Sequence, residues 1–266
     1  MSVIELQWWQ LGLAALMVLA LAATTVATRL QIARPLLIAA TRTVIQLALI
    51  GLVLEALFAV GRLGWVALMA LVMLLVAARE VMARQKYRLT GGWAFGIGSV
   101  SMFVSAFSVT VLTLVVIIGP EPWYLPQYAI PLLGMLLGNT MTGVALGLDR
   151  LTESVWRQRA VIENRLMLGQ RASEAVGDIR REAMRSGLMP IINAMAAAGI
   201  VSLPGMMTGQ ILAGTAPALA VKYQILIMFA IAAGTGFGTV FAVLAGSRRL
   251  LDDRQRLRLD RLSKAP

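Results

Sequence analysis

Hydrophobic positions along this chain gather into long, nearly uncharged runs. They do not follow the period-two alternation of half-buried strands. Seven runs stand out, at about 7–28, 36–60, 63–83, 93–118, 127–148, 188–205 and 220–246. Each reaches or approaches the ~20 apolar residues that carry a helix across the hydrocarbon layer. Lipid cannot satisfy an open backbone, so spans of this composition must be helical. The pattern predicts an all-α polytopic transmembrane helical bundle of about seven spans.

Two stretches depart from it. Residues 149–187 are too polar to span, yet Leu151, Val155, Ile162 and Leu166 keep helical spacing, as do Ala172, Ala175, Val176, Ile179 and Ala183. Gly169 lies between the two sets, where a glycine can close a helix in the left-handed conformation. The spacing predicts two short amphipathic helices beneath the membrane, each burying its apolar stripe against lipid, its own bundle or another protein. The second departure is "LPGMMTGQILAG", Leu203–Gly214, which is uncharged but broken at Pro204-Gly205 and followed by Met206, Met207, Thr208 and Gln210. A helix over 188–203 is about 24 Å long, which places the break near the outer boundary. Two arrangements fit. In one the segment folds back as a half-helix, with Thr208 and Gln210 satisfying freed backbone groups or lining an exit path. In the other a kink leads into a buried external turn.

Composition agrees: 59% of the 266 residues are hydrophobic, 14% are charged, and the mean hydropathy is +0.79. A soluble domain is nearer a quarter charged. The net charge of +11 raises nucleic acid as a partner, but the charges sit between apolar runs, as topology requires. Apart from Arg42, Arg62 and Lys222, every Lys and Arg falls on one side of the predicted membrane. This bias puts the N-terminus outside and the basic tail, 247–266, in the cytoplasm of a multi-pass protein of the cell inner (plasma) membrane. Trp8, Trp9, Trp65 and Trp123 fall at outer span ends and Trp93 at an inner one, the headgroup level that indole rings favour. The tail reads as a topology anchor on anionic lipid. One domain, 1–266, accounts for the whole chain, and its opening residues lack the positive region of a cleavable signal.

Chemistry is narrowed by what is missing. Without Cys or His, thiolate and imidazole metal sites and the usual nucleophile systems are excluded. No P-loop sequence occurs, so no ATPase site of its own is expected, nor a bound cofactor. Within the spans, Arg42 and Gln46 lie one turn apart on one face, Arg42 close enough to the cytoplasmic end to snorkel. Glu55, thirteen residues on, points elsewhere and stands near an exit vestibule or the interface. Asn139 is a deep amide that needs a partner or a wet cavity. Gly134 and Gly138, Gly143 and Gly147, and Gly234 and Gly238 carry the spacing of close helix packing. Methionines, 15 in all, read as filler. Met206 and Met207 suit a soft ion better than iron, so the metal ligands stay unassigned.

In "ENRLMLGQRASEAVGDI", Glu163, Gly169 and Ile179 keep the spacing of the loop by which ABC-importer permeases dock on their ATPase, although Asn164 and Arg165 replace that motif's alanines. Three further segments, "RTVIQLALIG" (42–51), "IPLLGMLLGNTMTG" (130–143) and "GIVSLPGMMTGQILAGTAPALAVKYQI" (199–225), resemble the FetB-like ABC transporter permeases, a family associated with bacterial iron export and plant aluminium tolerance. The resemblance implies a dimeric permease subunit of an exporter, with ATP and Mg bound by a separate ABC ATP-binding subunit docked on 149–187. Arg42, Gln46, Glu55, Asn139 and 204–210 would then line its path or gate. The alternatives are a channel or secondary transporter that works without ATPase, and an intramembrane enzyme, for which no catalytic set is visible.

Overall fold

Helices dominate the fold, as a solvent without hydrogen-bonding capacity demands; the computed structural model describes residues 7–264. In chain order they are α1 (Trp8–Ala27), α2 (Ala33–Val60), α3 (Leu63–Ala83), α4 (Trp93–Ile118), α5 (Pro126–Arg157), α6 (Arg159–Met167), α7 (Ala172–Ala175), α8 (Gly177–Ala197), α9 (Gly205–Leu212) and α10 (Pro217–Arg249). Two short strands, β1 (Tyr87–Leu89) and β2 (Leu262–Lys264), pair antiparallel. Proline opens both α5 and α10, where its missing N–H costs nothing.

The fold is an all-α membrane bundle. Among the described residues six helices are long and apolar enough to span: α1 to α5 and α10. The expected span at 188–205 is not one of them. Residues 188–197 form the second half of α8, whose first half, "GDIRREAMRSG", is polar, and the helix ends at Ala197, well short of 203. Pro190 does not stop α8; it sits on an exposed face, where losing one backbone bond is tolerated.

α5 is the axis, with α3, α4, α8 and α10 packed around it. Its contact with α8 and α10 is backbone-close. A Cβ on Gly143 would lie 2.6 Å from Thr239 Oγ1 and 3.0 Å from the Gly187 carbonyl oxygen, and one on Gly187 would lie 2.5 Å from the Gly143 oxygen. Small residues let helices meet this closely where lipid gives no hydrophobic drive for association. Gly238 repeats the device against Thr140 and Ser105. α4 widens to π-helical turns at Phe103–Phe107 and Thr113–Ile118, and the Ser105 hydroxyl donates to the Ser101 carbonyl at 2.7 Å. α1 and α2 form a hairpin at the edge, with only Leu57 of α2 buried.

α5 has 32 residues, about 48 Å of helix, so its last turns extend beyond the hydrocarbon. That length corrects the expectation for 149–187. Residues 149–157 continue α5, and the segment is completed by α6, α7 and the polar start of α8, not by two separate surface helices. The tail is likewise folded. β2 lies on β1 with Tyr87 opposite Lys264, Arg261 donates to the Arg249 carbonyl at 2.8 Å, and Arg249 stacks 4.6 Å above the Trp93 ring. Gln255, at φ 58, reaches across to accept the Ala172 N–H at 2.6 Å. Asp252 closes the turn by accepting the N–H groups of Arg254 and Arg256.

Candidate translocation groove and coupling face

A groove of about 620 Å³ opens between α2, α3 and α5. Arg42, Thr43 and Gln46 line it from α2, and Glu80 and Arg84 from α3. The helical spacing that put Arg42 and Gln46 on one face thus turns both toward the same groove. Arg42 Nη2 donates to Glu80 Oε1 at 2.9 Å, with the two side chains 55% and 30% exposed. A pair this open is worth little to stability, but it puts two opposite charges on the groove wall. Met69, Met73 and Met141 supply thioethers to the same walls.

Gly134 and Gly138 face this groove. A Cβ on Gly138 would meet nothing within 4 Å, and one on Gly134 only the tip of Met73, at 3.3 Å. The close contact expected of them is made instead by Gly143, Gly147 and Gly238, while Gly234 has ordinary van der Waals neighbours. Glu55 is exposed and away from the groove lining. Asn139 is exposed as well, donating to its own helix at the Met135 carbonyl, 2.8 Å away. That bond uses one of the two N–H donors of the amide.

The broken segment, Leu203–Gly214, holds a short helix. The chain turns between Ala197 and Pro204 and then forms α9, which lies along α10. The Thr208 hydroxyl donates to the Pro204 carbonyl at 3.2 Å. Met206 and Gln210 face a second cavity, while Gly205 is exposed and Met207 half-buried.

At the basic end, α6 stands out from the bundle. Ile162 of α6 and Ile179 of α8 are buried, while Glu163 and Gly169 are exposed. Gly169 has φ +85, the left-handed turn that lets the chain reverse after α6. Beside it Met167 and Leu168 are 78% and 84% exposed. Arg165 donates to the Ala175 carbonyl at 3.1 Å and pairs with Asp178 at 3.3 Å. It replaces the small residue of the importer motif with a tie back to α8. Below α5, Lys86 pairs with Glu153 at 3.3 Å and Tyr87 stacks on Trp156 at 5.1 Å.

Reasoning from the sequence passed over Glu80, Arg84 and the groove methionines. Glu80 gave one signal, a carboxylate close to the basic end of an apolar run, at a depth Arg42 can reach from the neighbouring antiparallel helix.

The profile of an uncharacterised protein family, UPF0014, matches residues 8–251. The chain belongs to the UPF0014 family. Over 260 residues, 96% of this chain and 98% of the relative, it is 38% identical to the UPF0014 membrane protein slr1647 of Synechocystis. It is 31% identical over 241 residues, 89% of each protein, to the "Probable iron export permease protein FetB" of Escherichia coli. The UPF0014 membrane protein STAR2 of Oryza sativa shares 33% over 217 residues, 82% of this chain and 73% of that one. No solved structure matches the chain. The UPF0014 match contains the groove, α6 and α9, and it stops at the residue before Asp252, where the folded tail turns back.

Proposed function

We propose that this UPF0014 membrane protein is the permease subunit of an ATP-driven exporter in the inner membrane, with metal ions such as iron as its cargo. A separate ABC ATP-binding subunit hydrolyses ATP with Mg, and two permease copies flank the path. The observation that carries the reading is the tip of α6. Met167 and Leu168 stand almost fully exposed beyond the end of a spanning helix, with Glu163 on the same helix and Gly169 next to them. An ATP-binding subunit docked here would cover this apolar tip, and Arg165 ties the tip to Ala175 and to Asp178 of α8, the helix whose Gly187 meets the α5 axis. The cargo is suggested by the printed name of the Escherichia coli relative; the side-chain oxygens of the groove are those of Thr43, Gln46 and Glu80, and Glu80 is already paired with Arg42.

The test is ATP-dependent iron uptake into inverted vesicles holding the permease with its ATP-binding subunit. Glu163→Lys and a bulky residue at Gly169 are expected to leave ATP hydrolysis running while iron uptake falls at least tenfold. Normal uptake in both variants overturns the coupling role. Uptake by the permease alone, with no ATPase present, supports a channel or secondary transporter instead.

A further inference from the structure

The cavity beneath α9 lies at the end of α5 opposite the basic layer and measures about 290 Å³. Its polar lining comes from four places in the chain: Gln127 and Tyr128 at the start of α5, Gln210 on α9, Thr215 in the following turn and Tyr223 on α10. The rest of the wall is apolar, and no Asp, Glu, Lys or Arg lines it among the described residues. The Gln210 Oε1 atom is shut off from solvent and accepts no hydrogen bond. A buried acceptor of this kind costs stability unless something donates to it. The volume is near the lower limit for small-molecule cavities and equals the share of about ten waters. That is far more than a bare ion needs.

We infer that this chamber binds an electroneutral solute that donates hydrogen bonds, so that an exported metal passes it as a neutral chelate and not as an aqua cation. The inference rests on the permease reading above and narrows its cargo. Charge decides the matter. Hard divalent ions are held by carboxylates, and a cation seated in a half-open pocket without a counter-charge gives up part of its hydration to amides and hydroxyls that replace it incompletely. A chelate carries its own anionic ligands, so its net charge can vanish. Its amine or aqua hydrogens then donate to Gln210 Oε1, and its organic edge meets Met206 and the apolar wall.

Two exchange-inert cobalt(III) complexes separate charge from hydrogen bonding. Tris(glycinato)cobalt(III) is neutral and hexaamminecobalt(III) is a trication; both present N–H donors. Equilibrium dialysis would use the full chain in nanodiscs of zwitterionic lipid, with cobalt counted by atomic absorption. The neutral complex is expected to bind saturably and the trication not at all. Gln210→Leu should weaken the neutral complex about tenfold. Gln210→Glu keeps the shape of the side chain, adds an anion, and should reverse the preference toward the trication. Melting curves identify any variant that fails to fold, and the wild-type comparison stands without them. Equal or tighter binding of the trication to wild type, full binding by Gln210→Leu, or binding of neither complex overturns the inference. Dialysis involves no transport, so such a failure leaves the permease reading to the vesicle experiment.

Discussion

Two glycine pairs on α5 carry the same spacing and meet opposite surroundings. Gly143 and Gly147 face the backbone of α8 and the side chains of α10 so closely that Thr239 approaches both positions within about van der Waals contact or less. Gly134 and Gly138, two turns earlier, open onto the Arg42–Glu80 groove, and Gly138 has no neighbour at all within 4 Å. A small residue every fourth position lets helices touch, but it serves equally to leave a path unfilled. One half of α5 is built as a fixed crossing and the other as the wall of the groove.

The sharpest way to break the comparison is to add one carbon on each side of it. Gly187→Ala puts a Cβ 2.5 Å from the Gly143 carbonyl oxygen and from Thr239 Cγ2. Backbone cannot yield as a flexible side chain can, so a loss of about 3 kcal/mol or more is expected, read as a lowered melting temperature and a smaller monodisperse peak. Gly138→Ala should change stability by less than about 0.5 kcal/mol. Equal losses in the two variants would erase the distinction between crossing and wall.

Filling the groove separates transport from folding. Gly138→Phe is expected to keep the melting temperature of wild type and to cut vesicle transport by at least tenfold. Transport at the wild-type rate would place the path elsewhere. A smaller effect concerns the charged pair. Because the Arg42 and Glu80 side chains are 55% and 30% exposed, Arg42→Ala or Glu80→Gln should cost no more than about 1 kcal/mol, while altering which cargo is carried. A loss of several kcal/mol in a thermal melt would mean that a second subunit buries the pair.

The smallest effect is set by pH at the tail. The Arg256 backbone N–H donating to the Asp252 carboxylate holds it below its ordinary 3.8 against the opposing cost of burial, and the Arg256 guanidinium and Arg254 N–H act in the same direction. A depressed carboxylate stabilises its turn above the unfolded value and loses that contribution as pH falls through the folded one. Tail amides should therefore exchange alike between pH 5 and 8, after correction for intrinsic rates, and lose protection only below about pH 4. Asp252→Ala should expose them at neutral pH. Protection that changes between pH 5 and 8 would assign the tail to a different titrating group.

How far the site could be read from residues alone follows from the same contrast. Helical periodicity put Arg42 and Gln46 on one face, and both line the groove. It also put Gly134 and Gly138 in line for packing, because spacing along a helix says which residues share a face and nothing about what faces them. Asn139 looked costly in lipid, and the carbonyl one turn back takes one of its donors, a local bond that hydropathy does not count. The break at Pro204-Gly205 was visible, but the helix before it ends at Ala197.

Sequence by itself determined that the chain is a helical membrane protein, where most of its long helices run, which loops carry the cations, and that 203–214 interrupts the pattern. These properties are sums over neighbouring residues, and the cost of placing polar backbone or charge in lipid is large enough to fix them locally. Tertiary structure decided which glycines touch a backbone, that Glu80 is the partner of Arg42, that residues 177–197 form one helix, and that β2 of the tail pairs with β1 across most of the chain's length. Each depends on the rotation of one helix against another and on contacts between residues far apart in sequence. Only packing, which weighs those rotations against each other, selects among them.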